Sequence, residues 1–142
     1  MGVVGFERLR VYGLSEVLAD EIWDIVLKWK GLPRDTVGRQ IVRSADSIGA
    51  NIAEGTGRGS FPDNRRFVRI ARGSLYETRH WLRRAFRRNL LSKSEVAKIK
   101  PLVDELGPKM NAYLKSIGPH TPVPASGAGN KGLGTRDKGQ RT

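Results

Sequence analysis

Residues 62–89 read PDNRRFVRIARGSLYETRHWLRRAFRRN. Pro62 stands at a position favoured in a first helical turn, and no second proline follows within the stretch. Phe67, Ala71, Ser74, Thr78, Trp81, Leu82 and Ala85 recur at spacings of three and four, which predicts a long helix with those residues turned inward. At about 100° per residue, Arg65, Arg69, Arg72, Arg79, Arg83 and Arg87 fall within roughly 80° of one another, opposite Phe67 and Ala85. Tyr76 lies in the middle of this stripe, and Arg66, Arg84 and Arg88 flank it.

Working outward, the chain before and after has the same period. Leu14, Leu18, Ile22, Ile25 and Trp29 predict a first helix ending near Trp29 and starting near either Gly5 or Leu14. The segment Gly31-Leu32-Pro33-Arg34-Asp35 breaks it and offers Asp35 as an N-cap for a second helix, about Thr36 to Glu54, with Ile41, Ala45, Ile48 and Ile52 on one face. Gly55 to Ser60 ends that helix. After the long helix, Ser92 and Glu95 have the spacing of a capping box and open a fourth, which runs to about Ile117. Pro101 and Gly107-Pro108 lie inside it and predict a kink or a break. No stretch alternates apolar and polar residues for long enough to argue a strand. Four helices on short connections predict an all-α protein, an antiparallel up-down four-helix bundle over residues 1–117. Residues 118–142 hold six of the 17 Gly and three of the seven Pro, with no aromatic residue, and are expected to be a disordered basic tail.

The 142 residues carry 26 Lys+Arg against 14 Asp+Glu, a formal net charge of +12. The absence of cysteine excludes disulfides, thiolate metal sites and a cysteine nucleophile. No apolar run is long enough for a membrane span, and the N-terminus lacks the apolar stretch of a signal peptide, so a cytoplasmic protein is expected. The charge is unevenly placed. Residues 1–57 hold seven basic and eight acidic side chains, and residues 94–117 hold four and three. Residues 58–93 hold ten Arg and one Lys against Asp63 and Glu77 alone.

The stripe from Arg65 to Arg87 spans about 33 Å at a rise of ~1.5 Å per residue, comparable with one turn of a nucleic-acid duplex. A guanidinium forks onto phosphate oxygens and stacks on bases, and a tyrosine among arginines stacks likewise. Arg65, Arg69, Arg72, Tyr76, Arg79, Arg83, Arg84, Arg87 and Arg88 are therefore the candidate nucleic-acid contacts. The plainer reading is a solvated face paired with acids on neighbouring helices. Against it, two local acids cannot neutralise so many arginines. Nothing resembles a helix-turn-helix or zinc finger, so sequence-specific base readout is not indicated.

On the second helix, Gly38, Val42, Ala45, Gly49 and Ala53 form a small-residue side that lets another helix approach closely. Gln40, Ser44, Ser47, Asn51 and Glu54 form a polar side beside the Ile face, facing either water or hydrogen-bond partners on another helix or subunit.

The string Gln40-Ile41-Val42-Arg43-Ser44-Ala45-Asp46-Ser47-Ile48-Gly49-Ala50-Asn51-Ile52-Ala53-Glu54-Gly55 resembles the signature of the four-helix-bundle proteins encoded by intervening sequences of bacterial 23S rRNA genes. Phe6 to Tyr12, Arg58-Gly59-Ser60 and Ile70 to Glu77 fit the same pattern in order, so the resemblance covers about residues 6 to 117. Relatives include the accessory variability determinant of diversity-generating retroelements. The resemblance implies an up-down bundle assembling as a homopentamer, with a basic surface that binds nucleic acid and, in the retroelement case, a reverse transcriptase; it implies no enzymatic activity. Three departures stand out: Asp46 where the family has an apolar or small residue, the arginine density of Glu77 to Arg88, and the basic tail.

Other sites are set aside. Gly55-Thr56-Gly57-Arg58-Gly59 follows a helix and lacks the Lys-Ser/Thr ending of a phosphate loop. His80 and His120 have no metal-ligand spacing, and Asp46 and Glu54 are more than ~10 Å apart along a helix. Trp23, Trp29 and Trp81 are expected to anchor the core or an interface. The expectation is a non-enzymatic RNA-binding oligomer, with no catalytic residue, metal, cofactor or small-molecule substrate. The alternative is a protein–protein scaffold whose arginines meet an acidic partner, and a small nuclease is the weakest reading.

Overall fold

Leu14, Leu18, Ile22 and Ile25 are all buried, as their spacing requires, and they draw α1 (Arg10–Val26) into the core. In the computed structural model, which describes residues 5–119, a 3-10 turn (Gly5–Arg8) leads into this helix. The helical chain resumes earlier than the Asp35 N-cap predicted. A short helical turn, α2 (Gly31–Pro33), runs through a π turn (Arg34–Gly38) directly into α3 (Arg39–Thr56). Pro33 is accommodated because the first turn needs no backbone donor, and Asp35 sits inside that turn rather than capping it.

Helix α4 (Phe61–Arg87) starts at Ser60, whose hydroxyl accepts the Asp63 N–H at 3.2 Å. It ends in a Schellman motif. Asn89 takes the left-handed conformation, φ 62°, while the Leu90 N–H bonds the Ala85 carbonyl at 2.9 Å and the Asn89 N–H bonds that of Phe86 at 3.1 Å. Helix α5 (Lys93–Ser116) opens with the anticipated capping box: Ser92 Oγ accepts from Glu95 N at 3.1 Å and Glu95 Oε1 from Ser92 N at 2.9 Å. Of the kink or break expected at the prolines, there is no break: α5 is one helix through Pro101 and Pro108. Both rings are exposed, and the carbonyls they leave without a donor belong to Ala97 and Asp104, also exposed, where water can satisfy them.

The four long helices pack in cyclic order. α1 lies between α3 and α5, and α4 lies on the other side between the same two, so α1 and α4 sit diagonally across the bundle. With alternating chain direction this is the antiparallel four-helix bundle, without strands among the described residues. The α3–α4 interface is the most extensive and the α4–α5 interface the sparsest. Leu18, Ile22, Ile41, Ile48, Ile52, Leu75, Leu106 and Met110 fill the centre. The small-residue side of α3 meets α1 at Gly49, where a Cβ would come 2.9 Å from Ser15 Oγ and 3.3 Å from the Tyr12 ring.

The buried side of α4 is rotated from its predicted position. Val68, Ala71, Leu75, Thr78 and Ala85 are buried, whereas Phe67, Ser74, Trp81 and Leu82 are half-buried. The cause is that α4 is clasped by two neighbours, so its buried sector is centred between them rather than on the α3 side. The rotation brings the arginine stripe to the α5 border instead of directly opposite the core. Of the tail expected at 118–142, residues from 120 onward lie outside the described residues.

Candidate nucleic-acid interface

The rotation of α4 divides the arginine stripe into two halves with different surroundings. At the N-terminal half, α5 comes close. Arg65 Nη1 donates to the Ile117 carbonyl at 2.7 Å, and Arg72 Nη1 to Asn111 Oδ1 at 3.1 Å. Ile117 is the C-cap of α5, so the Arg65 cation sits where the helix dipole and the unpaired carbonyls favour positive charge. Arg69, half-buried between them, is engaged as well. Nearby Arg58 lies 3.4 Å from Glu54 and 3.8 Å from Asp63, and Arg66 lies 3.9 Å from Asp63, with both guanidiniums over the Phe67 ring. The guanidiniums at this end of α4 are engaged within the fold, Arg58 and Arg66 by carboxylates and Arg65 and Arg72 by neutral oxygens.

The C-terminal half differs. Arg79, Arg83, Arg87 and Arg88 are exposed, Arg84 is half-buried, and among the described residues none of the five meets a carboxylate. The one acid on this part of the helix is occupied otherwise: Glu77 Oε2 accepts the Trp81 indole N–H at 3.2 Å. Tyr76 is exposed, with the Arg79 guanidinium 5.7 Å from its ring centroid, so it presents an aromatic face next to a cation. Tyr76 to Arg88 covers about 18 Å at ~1.5 Å per residue, roughly half the length of the whole stripe. Five guanidiniums over that distance, with little internal compensation, form a focused positive field suited to phosphate oxygens.

Between this half of α4 and the start of α5 runs an open groove of about 380 Å³. Leu82, Phe86, Leu91, Val96, Ile99 and Val103 form its apolar lining, Arg79 and Arg83 carry its positive charge, and Lys100 is paired with Asp104 at 2.6 Å. The sequence did not announce this groove, because its two walls come from helices whose separation only packing determines.

The polar side of α3 is turned toward α4. Ser44, buried, accepts from the Thr78 hydroxyl at 2.9 Å and donates to the Ile41 carbonyl at 3.2 Å. Ser47 and Ser74 hydroxyls meet at 3.0 Å, and the Asn51 amide donates to Ser47 Oγ at 2.9 Å. These bonds satisfy polar groups at the tightest helix pair and hold α4 in its rotation. Gln40 is half-buried at one end of this seam, and Glu54 at the other end is exposed and pairs with Arg58.

Asp46 has a neighbour that spacing along one helix does not show. It lies with Glu16 and Asp20 of α1 around a second groove of about 340 Å³, between α1 and α3. Partial desolvation in this groove, and then the Asp20 charge, push the Asp46 carboxyl above its ordinary value, while the residue as a whole is exposed. Glu95 is shifted the other way: hydrogen bonds from Lys28 and from the Ser92 backbone hold it below the usual carboxylate range. Trp29 and Trp81 pack against the core, but Trp23 is exposed on the outer face of α1. His80 is exposed beside Trp81, and His120 lies outside the described residues. The Gly55 to Ser60 segment joins two helices, with Gly57 as the C-cap of α3. Among the described residues no group of three or more His, Cys, Asp or Glu is placed to hold a metal ion, and no helix is long and apolar enough to cross a membrane.

A search of curated proteins finds no match to the chain. Among solved structures, a protein of unknown function from the S23 ribosomal protein family of Bacteroides thetaiotaomicron VPI-5482 superposes with a TM-score of 0.66 at 26% identity, over 75% of this chain and 99% of that one. The family model described as 23S rRNA-intervening sequence protein matches residues 7–112, which contain the Asn51-Ile52-Ala53-Glu54-Gly55 string and the whole of α4. On that match the chain belongs to the family of 23S rRNA-intervening sequence proteins.

Proposed function

We propose that this chain is a non-enzymatic, homo-oligomeric RNA-binding protein whose contact surface is the C-terminal half of α4. The observation that carries the reading is the set Arg79, Arg83, Arg84, Arg87 and Arg88, none of which meets a carboxylate among the described residues, with Tyr76 beside them. Such a set gains from phosphate what the fold does not supply, and the tyrosine adds stacking on an unpaired base. Arg65 and Arg72 contribute by fixing α4 on α5 rather than by direct contact.

Within this reading the family resemblance suggests a homopentamer and two settings for it: a ribosomal RNA gene, or a diversity-generating retroelement in which the protein serves its reverse transcriptase. The gene neighbourhood distinguishes them, because a reverse transcriptase with a template repeat supports the second and an rRNA gene the first. Binding is tested by fluorescence anisotropy with a structured RNA, a DNA duplex and polyglutamate across a salt series. Tightest binding to RNA, with a log–log salt slope of several units, supports the proposal. Equal or tighter binding to polyglutamate overturns it in favour of an acidic protein partner. Native mass spectrometry tests the pentamer, which a single-copy species at micromolar concentration would refute.

A further inference from the structure

The outer face of α1 and the α4–α5 groove are complementary in both charge and polarity. On α1, Glu16, Asp20, Trp23, Asp24 and Leu27 recur at spacings of three and four, on the side away from Leu14, Leu18, Ile22 and Ile25. Trp23 is 52% and Leu27 63% exposed, an indole and an isobutyl group one turn apart in water. Among the described residues neither Asp20 nor Asp24 has a cationic partner. The groove offers the converse. Phe86, 55% exposed, stands on an aliphatic floor, with Arg79 and Arg83 beside it and Lys100 paired with Asp104 at 2.6 Å on the α5 side. Large apolar groups left exposed within a charged rim mark contact surfaces, and aromatic anchors seated in apolar grooves carry most of the binding energy of such contacts.

We infer that the α1 outer face of one copy docks in the α4–α5 groove of the next, with Trp23 and Leu27 on the apolar floor and Asp20 and Asp24 against Arg79 and Arg83. The inference rests on the homo-oligomer part of the function proposed above; it assigns Arg79 and Arg83 to the contact between copies and leaves the RNA part to Arg84, Arg87 and Arg88. Because α1 and α4 are diagonal in the bundle, the two surfaces face opposite sides of the molecule. A contact between them is heterologous, so each copy binds one neighbour through α1 and another through the groove, and the assembly closes as a ring or extends. Arg84, Arg87 and Arg88 lie outside the groove lining and stay free for a polyanion.

The test is sedimentation velocity on the full, nuclease-treated chain at tens of micromolar, with circular dichroism as the check on folding. Wild type is expected well above the 15.8 kDa of one copy. Asp20→Lys with Asp24→Lys, and Arg79→Glu with Arg83→Glu, are each expected to give single copies of unchanged helicity. An equimolar mixture of the two variants is expected to associate again, since each reversed surface then meets its opposite. Trp23→Ala alone is expected to weaken association at least tenfold. A wild type that sediments as one copy overturns the inference, as does either double variant retaining the wild-type mass, or a mixture that stays dissociated. If a double variant loses helicity, Trp23→Ala and Leu27→Ala decide: wild-type association in both also overturns it. RNA is absent throughout, so these results stand apart from those of the binding assay.

Discussion

Replacing Gly55 by alanine is expected to destabilise the bundle by about 1 kcal/mol, although alanine is the better helix former. Gly55 is buried in the last turns of α3, against the start of α4. A Cβ there would lie 2.5 Å from Asn64 Oδ1, 3.1 Å from the Asn64 carbonyl oxygen and 3.1 Å from Phe67 Cβ. The Asn64 side chain can turn aside, but the carbonyl and the Phe67 Cβ are fixed to α4, so the two helices must part by a few tenths of an ångström. Overpacking of this kind costs about 1–3 kcal/mol, against a propensity gain of at most ~1 kcal/mol near a helix end. Gly73 is the internal control. It is exposed in the middle of α4 with nothing within 4 Å of its would-be Cβ, so Gly73→Ala is expected to stabilise by about 0.5–1 kcal/mol. The two variants should thus move in opposite directions, by roughly 4 °C per kcal/mol for a domain of this size. Urea denaturation followed by circular dichroism reads both. A Gly55→Ala variant as stable as wild type, with an unchanged m-value, would refute the close α3–α4 contact on which the rotation of α4 depends.

Thr78→Val and Ser44→Ala are each expected to cost about 1 kcal/mol, and the double variant less than their sum because they share one hydrogen bond, as a denaturation cycle will show. Glu95 is held below its ordinary value of 4.5, so the stability it supplies is complete above that pH and lost as pH falls through the lowered folded value; Glu95→Gln should flatten the acid limb of stability against pH. Asp46 has the opposite sign. Its raised folded value favours the protonated form, so stability is lost as pH rises from its ordinary 3.8, and Asp46→Asn should be more stable than wild type at pH 7 but not at pH 3.

The features legible in the sequence are those decided within one helix. The Ile41, Ala45, Ile48 and Ile52 face, the Ser92–Glu95 capping box and the small-residue contact at Gly49 each follow from local spacing and hold in three dimensions. What spacing did not show depends on how many neighbours a helix has. The inward face of α4 included Phe67 and Trp81 but omitted Val68 and Leu75, because two helices clasp it rather than one. For the same reason a single stripe of arginines became two sets: Arg65 and Arg72 are bound to α5, whereas Arg83, Arg87 and Arg88 remain in solvent. Spacing sets Asp46 against Glu54 on its own helix, whereas its electrostatic neighbour is Asp20 across the α1–α3 contact. The second helix does not start at an Asp35 cap, because a π turn lets the chain pass from Gly31 to Thr56 with no break.

The most direct test of the RNA-binding account is the salt dependence of RNA affinity in the variant carrying Arg84→Gln, Arg87→Gln and Arg88→Gln. These three lie outside the α4–α5 groove, and glutamine keeps the helix propensity of arginine. Each lost phosphate contact lowers the log–log slope by about 0.7–0.9, so the account predicts a slope smaller by about 2–3 units and weaker binding at every salt concentration. Arg72→Gln, whose guanidinium is held by Asn111, should leave the slope unchanged. A triple variant with the wild-type slope and affinity would contradict the account.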